Sequence, residues 1–164
     1  MTVVRYCTPE WLRFSAEAYR SIPRFRQQMA KLTTKICFLI KAAPAWGIEK
    51  DIVFGAFVRR GELERLEFFG LDDAKAQAEF IIAGTPEEWK SILRKERKFL
   101  TDFMLGRLPL VQGSKVGVLS IAPYANTFVD ALTQADLQFP DEMSNEELAA
   151  YRSYVAAFRQ ECDV

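Results

Sequence analysis

Apolar positions along the chain recur with two spacings, one near 3.6 and one near 2, and proline, glycine and capping residues divide them into elements. After Thr8 and Pro9, the residues Trp11, Phe14, Ala18 and Ile22 recur at i, i+3, i+7 and i+11, the spacing of one helix face. Pro23 closes that helix, and Phe25 with Met29 predicts a second, short one. The run Lys35-Ile36-Cys37-Phe38-Leu39-Ile40-Lys41 is apolar between two lysines, which predicts a strand mostly covered on both faces. Pro44 and Gly47 make a loop, and strands over 51–59 and 62–69 then follow. They are joined through Arg60-Gly61, where Gly61 supplies the positive φ of a tight hairpin turn. In the second arm Glu62, Glu64, Arg65 and Glu67 interleave with Leu63, Leu66 and Phe68, so one face meets water.

Gly70-Leu71-Asp72-Asp73 reads as a turn and 76–84 as the fourth strand, ending in Phe80-Ile81-Ile82-Ala83-Gly84. Thr85-Pro86-Glu87-Glu88 is a capping box, in which the Thr85 side chain and Glu88 each satisfy a free N–H, so a helix starts at Pro86. Ile92 and Leu93 continue the face of Trp89, Glu96 interrupts it, and Phe99, Leu100 and Phe103 resume it. Either the helix bends or two short helices meet near Lys95. The segment 108–112, between Gly106 and Gly113, is the fifth strand, at an edge because Pro109 has no N–H for the ladder. Ser114 caps a helix bearing Val116 and Leu119, which Pro123 kinks or restarts before Phe128 and Leu132. A second capping box, Ser144-Asn145-Glu146-Glu147, opens a helix through Tyr151, Tyr154, Val155 and Phe158.

A chain of 164 residues fits one domain, long enough to bury roughly 70% of the surface its unfolded form exposes. Lys plus Arg equals Asp plus Glu at 22 each, so no broad positive field exists and nucleic acid is not an expected partner. Thirteen phenylalanines are an excess that serves either a well-filled core or the wall of an apolar cavity. The three cysteines, Cys7, Cys37 and Cys162, are odd in number and lack metal-type spacing, which points to a reducing cytoplasm. The first seven residues lack the apolar run of a secretory signal, and the longest apolar run, 36–40, is too short to cross a bilayer.

Absence of histidine removes the Ser-His-Asp triad, His-ligated zinc and the ordinary neutral-pH proton shuttle. Gly117-Val118-Leu119-Ser120-Ile121 lacks the second glycine of a nucleophile elbow, and there is no Walker-type phosphate loop. Of the acidic doublets Asp72-Asp73, Glu87-Glu88, Asp141-Glu142 and Glu146-Glu147, two sit in helix first turns, where they complement the dipole. Cys37 lies in an apolar strand, where a thiol is inert. The strip Arg94-Lys95-Glu96-Arg97-Lys98 is either a solvated helix face or a site that greets an anionic headgroup, an acyl-carrier phosphate or, transiently, a membrane surface. No catalytic residue, cofactor or metal is expected. A third reading, an acyl-thioester enzyme with Glu96 or another carboxylate as base, lacks any activating constellation.

The order strand, Gly84, polar turn, Trp89 helix, Gly106, short strand, Gly113, helix resembles the sterol carrier protein family of small lipid-binding domains, over about residues 8–134. That resemblance implies an α+β fold: a mixed five-stranded sheet packed against helices, with a hydrophobic tunnel that takes fatty acid, fatty acyl-CoA or sterol without chemistry. It matches tunnel-forming segments to Phe80, Ile82, Trp89, Leu93, Phe99, Phe103, Met104, Phe128 and Leu132, with Arg94, Lys95, Arg97 and Lys98 as headgroup candidates. Two departures stand out. The fifth strand is nearly all apolar and holds Pro109, and the chain ends Cys162-Asp163-Val164 without a peroxisomal tripeptide. The segment 136–164 extends beyond the matching part, either as a packing helix or as a lid. The competing reading keeps the same fold with a filled core, recruiting a protein partner through the 108–111 edge.

Overall fold

The computed structural model describes residues 2–164. Five strands form a mixed sheet: β2 (Thr34–Ile40), β3 (Ile52–Arg59), β4 (Glu62–Phe69), β5 (Phe80–Gly84) and β6 (Leu110–Gln112), in the spatial order β4-β3-β2-β5-β6. β2 runs parallel to β5 and every other pair is antiparallel. The hairpin turn is as expected, with Arg60 at φ 47° and Gly61 at φ 80°, the left-handed pair that matches strand twist. The hairpin register shifts between Phe57 and Val58, which keeps Leu63 and Val58 on the helical side.

Because side chains alternate along a strand, the sheet has two unlike faces. One carries Ile36, Phe38, Ile40, Phe54, Ala56, Phe80 and Ile82, and it meets most of the helices. The other carries Cys37, Leu39, Val53, Phe57 and Ile81, and α3 (Leu71–Gln77) covers it through Ala74 and Ala78. This helix corrects the expectation of a turn followed by a strand from 76. Gly70 caps it, Asp72 and Asp73 complement its first turn, Ala74 and Ala76 favour helix, and Ala74 seats on the sheet. The strand begins only at Phe80.

On the helical side, α1 (Pro9–Ser21) is capped by Thr8, and α2 (Pro23–Gln28) restarts at Pro23. The buried face of α1 is Trp11, Leu12, Ser15, Ala16 and Tyr19, displaced from the expected stripe, in which Phe14, Ala18 and Ile22 are only partly buried. The Thr85 capping box opens α4 (Pro86–Leu93), and the chain breaks at Lys95, φ 61°, before α5 (Phe99–Met104). Two short helices therefore meet where Glu96 interrupts the pattern. Ser114 caps α6 (Lys115–Ile121), Pro123 sits inside a single 3-10 turn (Ala122–Tyr124), and α7 (Ala125–Leu132) follows.

Two further strands go beyond the expected five. β1 (Val3–Arg5) pairs in parallel with β7 (Asp136–Gln138) as a separate ribbon. The second capping box opens α8 (Asn145–Cys162), whose Tyr151, Val155 and Phe158 are buried, with the Tyr151 hydroxyl donating to the Tyr6 carbonyl at 2.6 Å.

Candidate functional site

A cavity of about 90 Å³ lies between the helical face of the sheet and the helices α4 and α7. Its floor is Ile36 and Phe38 of β2 with Phe54, Ala56 and Val58 of β3. Trp89, Ile92 and Leu93 of α4 and Phe99 at the start of α5 form one wall. The other is Ile121, Phe128, Val129 and Leu132. Tyr6 and Trp11 border it at one end, Met29 and Leu32 at the other.

The floor holds the informative detail. β2 is the middle strand of five, yet Phe38 at its centre is only partly buried. Its ring stacks on Phe128 at 5.7 Å between centroids, meets the Trp89 ring edge-on at 5.6 Å and tilts against Phe54 at 5.1 Å. A Phe in that position of a filled core is sealed off, so the gap above it reaches solvent. Space remains because the facing positions are small: Ala56 below, Ala122 and Ala125 above. The outer wall is thinly covered too, with Ile121, Tyr124, Phe128 and Val129 all partly buried. Trp89, by contrast, is fixed: its indole N–H donates to the Leu39 carbonyl at 3.2 Å.

Among the described residues no charged side chain lines this space. Its polar groups are hydroxyls, and those of Tyr6 and Thr34 are buried without a hydrogen-bond partner among the described residues. Burial keeps the Tyr6 phenol protonated, its pKa pushed well above 10.0. Burial likewise pushes the thiols of Cys7 and Cys37 up to about 12, so neither is a nucleophile at neutral pH. Among the described residues no cluster of His, Cys, Asp or Glu could hold a metal ion. Glu96 is exposed and outside the cavity wall.

Of the expected site residues, Trp89, Leu93, Phe99, Phe128 and Leu132 come together around the cavity. Four do not line it. Phe80 and Ile82 are buried on the same sheet face but lie away from the gap, because Gly113 and Gly117 let α6 close directly on Phe80. A Cβ at either glycine would come within 2.5 Å or 2.6 Å of that ring. Phe103 is buried behind Phe99, ring stacked on ring at 5.9 Å. Met104 is 51% exposed, since it follows the cavity-side positions 99 and 103 and points outward. Residues of β2 and β3, with Ile121, Tyr124 and Ala125, belong to the wall and are absent from the expected set. Their only signal in the sequence is an apolar character shared with the rest of the sheet and its covering helices.

The basic strip is dispersed. Arg94 pairs with Glu142 at 2.9 Å and Arg97 with the buried Asp102 at 3.3 Å. Lys95 reaches Asp130 of α7 at 2.6 Å, beside Val129 at the rim. Lys98 has no ion-pair partner among the described residues. The segment from 136 onward contributes no residue to the cavity wall. Its helix α8 packs instead on the β4 side, with Phe158 against Phe68 at 5.2 Å.

No family model matches the chain, and no curated protein matches it in sequence. Solved structures do. A conserved hypothetical protein from Thermus thermophilus, offered as a candidate sterol carrier protein, superposes with a TM-score of 0.69 at 17% identity, covering 80% of this chain and 90% of its own. A crystal structure of sterol carrier protein 2 superposes with a TM-score of 0.64 at 18% identity, covering 78% of this chain and 97% of its own. The chain thus has the sterol carrier protein fold, with the expected α+β architecture and five-stranded mixed sheet.

Proposed function

We propose that the protein binds a lipid in the cavity between β2, β3, α4 and α7 and carries it without chemistry. The partial exposure of Phe38 on the central strand is the observation that carries this reading, since it marks a core left open to an apolar guest. The similar sterol carrier protein 2 structure supports it. Fatty acid, fatty acyl-CoA and sterol-like molecules are the candidate classes. Each CH₂ of such a ligand withdrawn from water contributes about 0.8 kcal/mol, so affinity needs few polar contacts. The partly buried rings of Phe99 and Phe128 are the side chains whose rotation would widen the gap for a long chain. Because no described residue of the lining is a cation, a carboxylate would stay at the rim and the hydrocarbon inside. We read the whole chain, 136–164 included, as one domain. Its three unpaired cysteines support a reducing, cytoplasmic setting.

A thermal-shift and native mass spectrometry screen tests the proposal. A fatty alcohol or methyl ester should raise the melting temperature at least as much as the acid of equal length at neutral pH, and should bind one per chain. If no lipid shifts the melting point and protein purified from cells carries none, the accessory-module reading replaces this one.

A further inference from the structure

We propose that α5 and the loop after it dock on the surface of an anionic lipid bilayer. The inference is independent of what the cavity holds, because it rests on the outside of the molecule.

Among the described residues seven large apolar side chains are exposed, and five of them, Leu100, Met104, Leu105, Val111 and Val116, fall within the stretch 97–116. Three belong to α5 and its end, where Leu105 is 62% exposed. Leu100 and Met104 stand at i and i+4, one face of the helix, while Phe99 and Phe103 turn the neighbouring face inward. The tip protrudes. At Gly106, φ 77°, an added Cβ would meet no atom within 4 Å.

Charge says what covers this patch. The stretch holds Arg97, Lys98, Arg107 and Lys115 against a single acid, Asp102, in a chain whose overall net charge is zero. Asp102 offers nothing to a cationic partner, since it is 1% exposed and its Oδ1 already accepts a hydrogen bond from Arg107 at 3.1 Å and forms an ion pair with Arg97 at 3.3 Å. Lys98 and Lys115 have no ion-pair partner among the described residues. Basic residues flanking exposed Leu and Met side chains match a phospholipid surface: the cations meet headgroup phosphates while the apolar tip enters the boundary beneath. Docked this way, Phe99 brings the adjacent cavity wall close to the bilayer.

Flotation with phosphatidylcholine vesicles, with and without phosphatidylglycerol, tests this on the full chain. The protein should float with the anionic vesicles, bind neutral ones far less, and lose binding as salt is raised. Lys98→Gln should weaken partitioning about fivefold, and the triple change of Leu100, Met104 and Leu105 to Ser at least about tenfold. All these side chains are exposed, so circular dichroism should be unchanged. Val3→Ser and Leu71→Ser, at exposed apolar positions elsewhere, should have no effect. Absence of binding to anionic vesicles would overturn the proposal. So would equal binding to neutral ones, or sensitivity to Val3 and Leu71 in place of α5.

Discussion

Replacing Ala56 by Leu asks whether the cavity is real, because the sign of the stability change differs between an open and a filled core. Ala56 is 1% exposed in β3, opposite Ile36 and Leu66 in the register, with its methyl group in the cavity floor. Leucine adds three carbon atoms. If the space of about 90 Å³ accepts them, their burial contributes up to about 2.4 kcal/mol, less any rotamer strain. In a filled core the same atoms overpack and cost about 1–3 kcal/mol. The substitution should therefore leave the urea midpoint unchanged or raise it. A lipid that loses the room of three methylenes should weaken by about 2.4 kcal/mol, roughly fiftyfold. Displacement of a fluorescent fatty acid measures that loss on the same samples. A variant destabilised by about 2 kcal/mol that still binds lipid as well as the parent would refute both the cavity and its role.

Gly55→Ala serves as the opposite control. The new Cβ lies 2.7 Å from a Phe69 ring carbon and 2.8 Å from the Cys37 sulfur, on the α3 face, so it should cost about 1–3 kcal/mol in urea unfolding while the folded fraction keeps its lipid affinity. Stability should be flat across neutral pH, since the chain has no histidine. On the acid side, burial pushes the carboxyls of Glu10 and Glu142 up. Hydrogen bonds, from the Tyr154 hydroxyl to Glu10 and from the Phe139 N–H to Glu142, outweigh it and hold both below 4.5. Their contribution is present above that value and lost as pH falls through it. On the alkaline side, the buried thiols of Cys7 and Cys37 stay protonated to about 12 in the native state but ionise near 9.0 when unfolded, so stability should decline above 9.0. Melting temperatures across the range check this, and a step near neutral pH would contradict it.

Local chemistry makes much of the fold legible in the sequence. The two capping boxes at Thr85 and Ser144, the restart at Pro23 and the left-handed turn at Arg60-Gly61 all depend on residues within four of each other, and the fifth strand does lie at the sheet edge, though it begins at Leu110 and leaves Leu108 and Pro109 outside it. What stays hidden depends on partners far apart. β1 and β7 are three-residue strands joined across more than a hundred residues, and neither carries a pattern strong enough to announce itself. α3 reads as the lead into a strand because Ala76 and Ala78 fit the edge of an apolar run as well as they fit a short helix. Only the covered face of β3 decides between them.

The cavity exposes the same limit more sharply. Phe38 and Phe80 are alike in the chain: each sits in an apolar strand, on the same sheet face, two residues from another apolar side chain on that face. Their fates separate through residues near or beyond position 113. Over Phe80, Gly113 and Gly117 carry no Cβ, so α6 descends until the ring is sealed. Over Phe38, Pro123 breaks the chain between α6 and α7, and the helix that follows brings Ala125 and Phe128 rather than a close-packing glycine. Periodicity states which side chains share a face. Which of them is covered follows from the sizes of residues on another element. The candidate site is thus written in three alanines and two glycines as much as in the phenylalanines that first draw notice, and lipid binding should respond to the small positions at least as strongly as to the large ones.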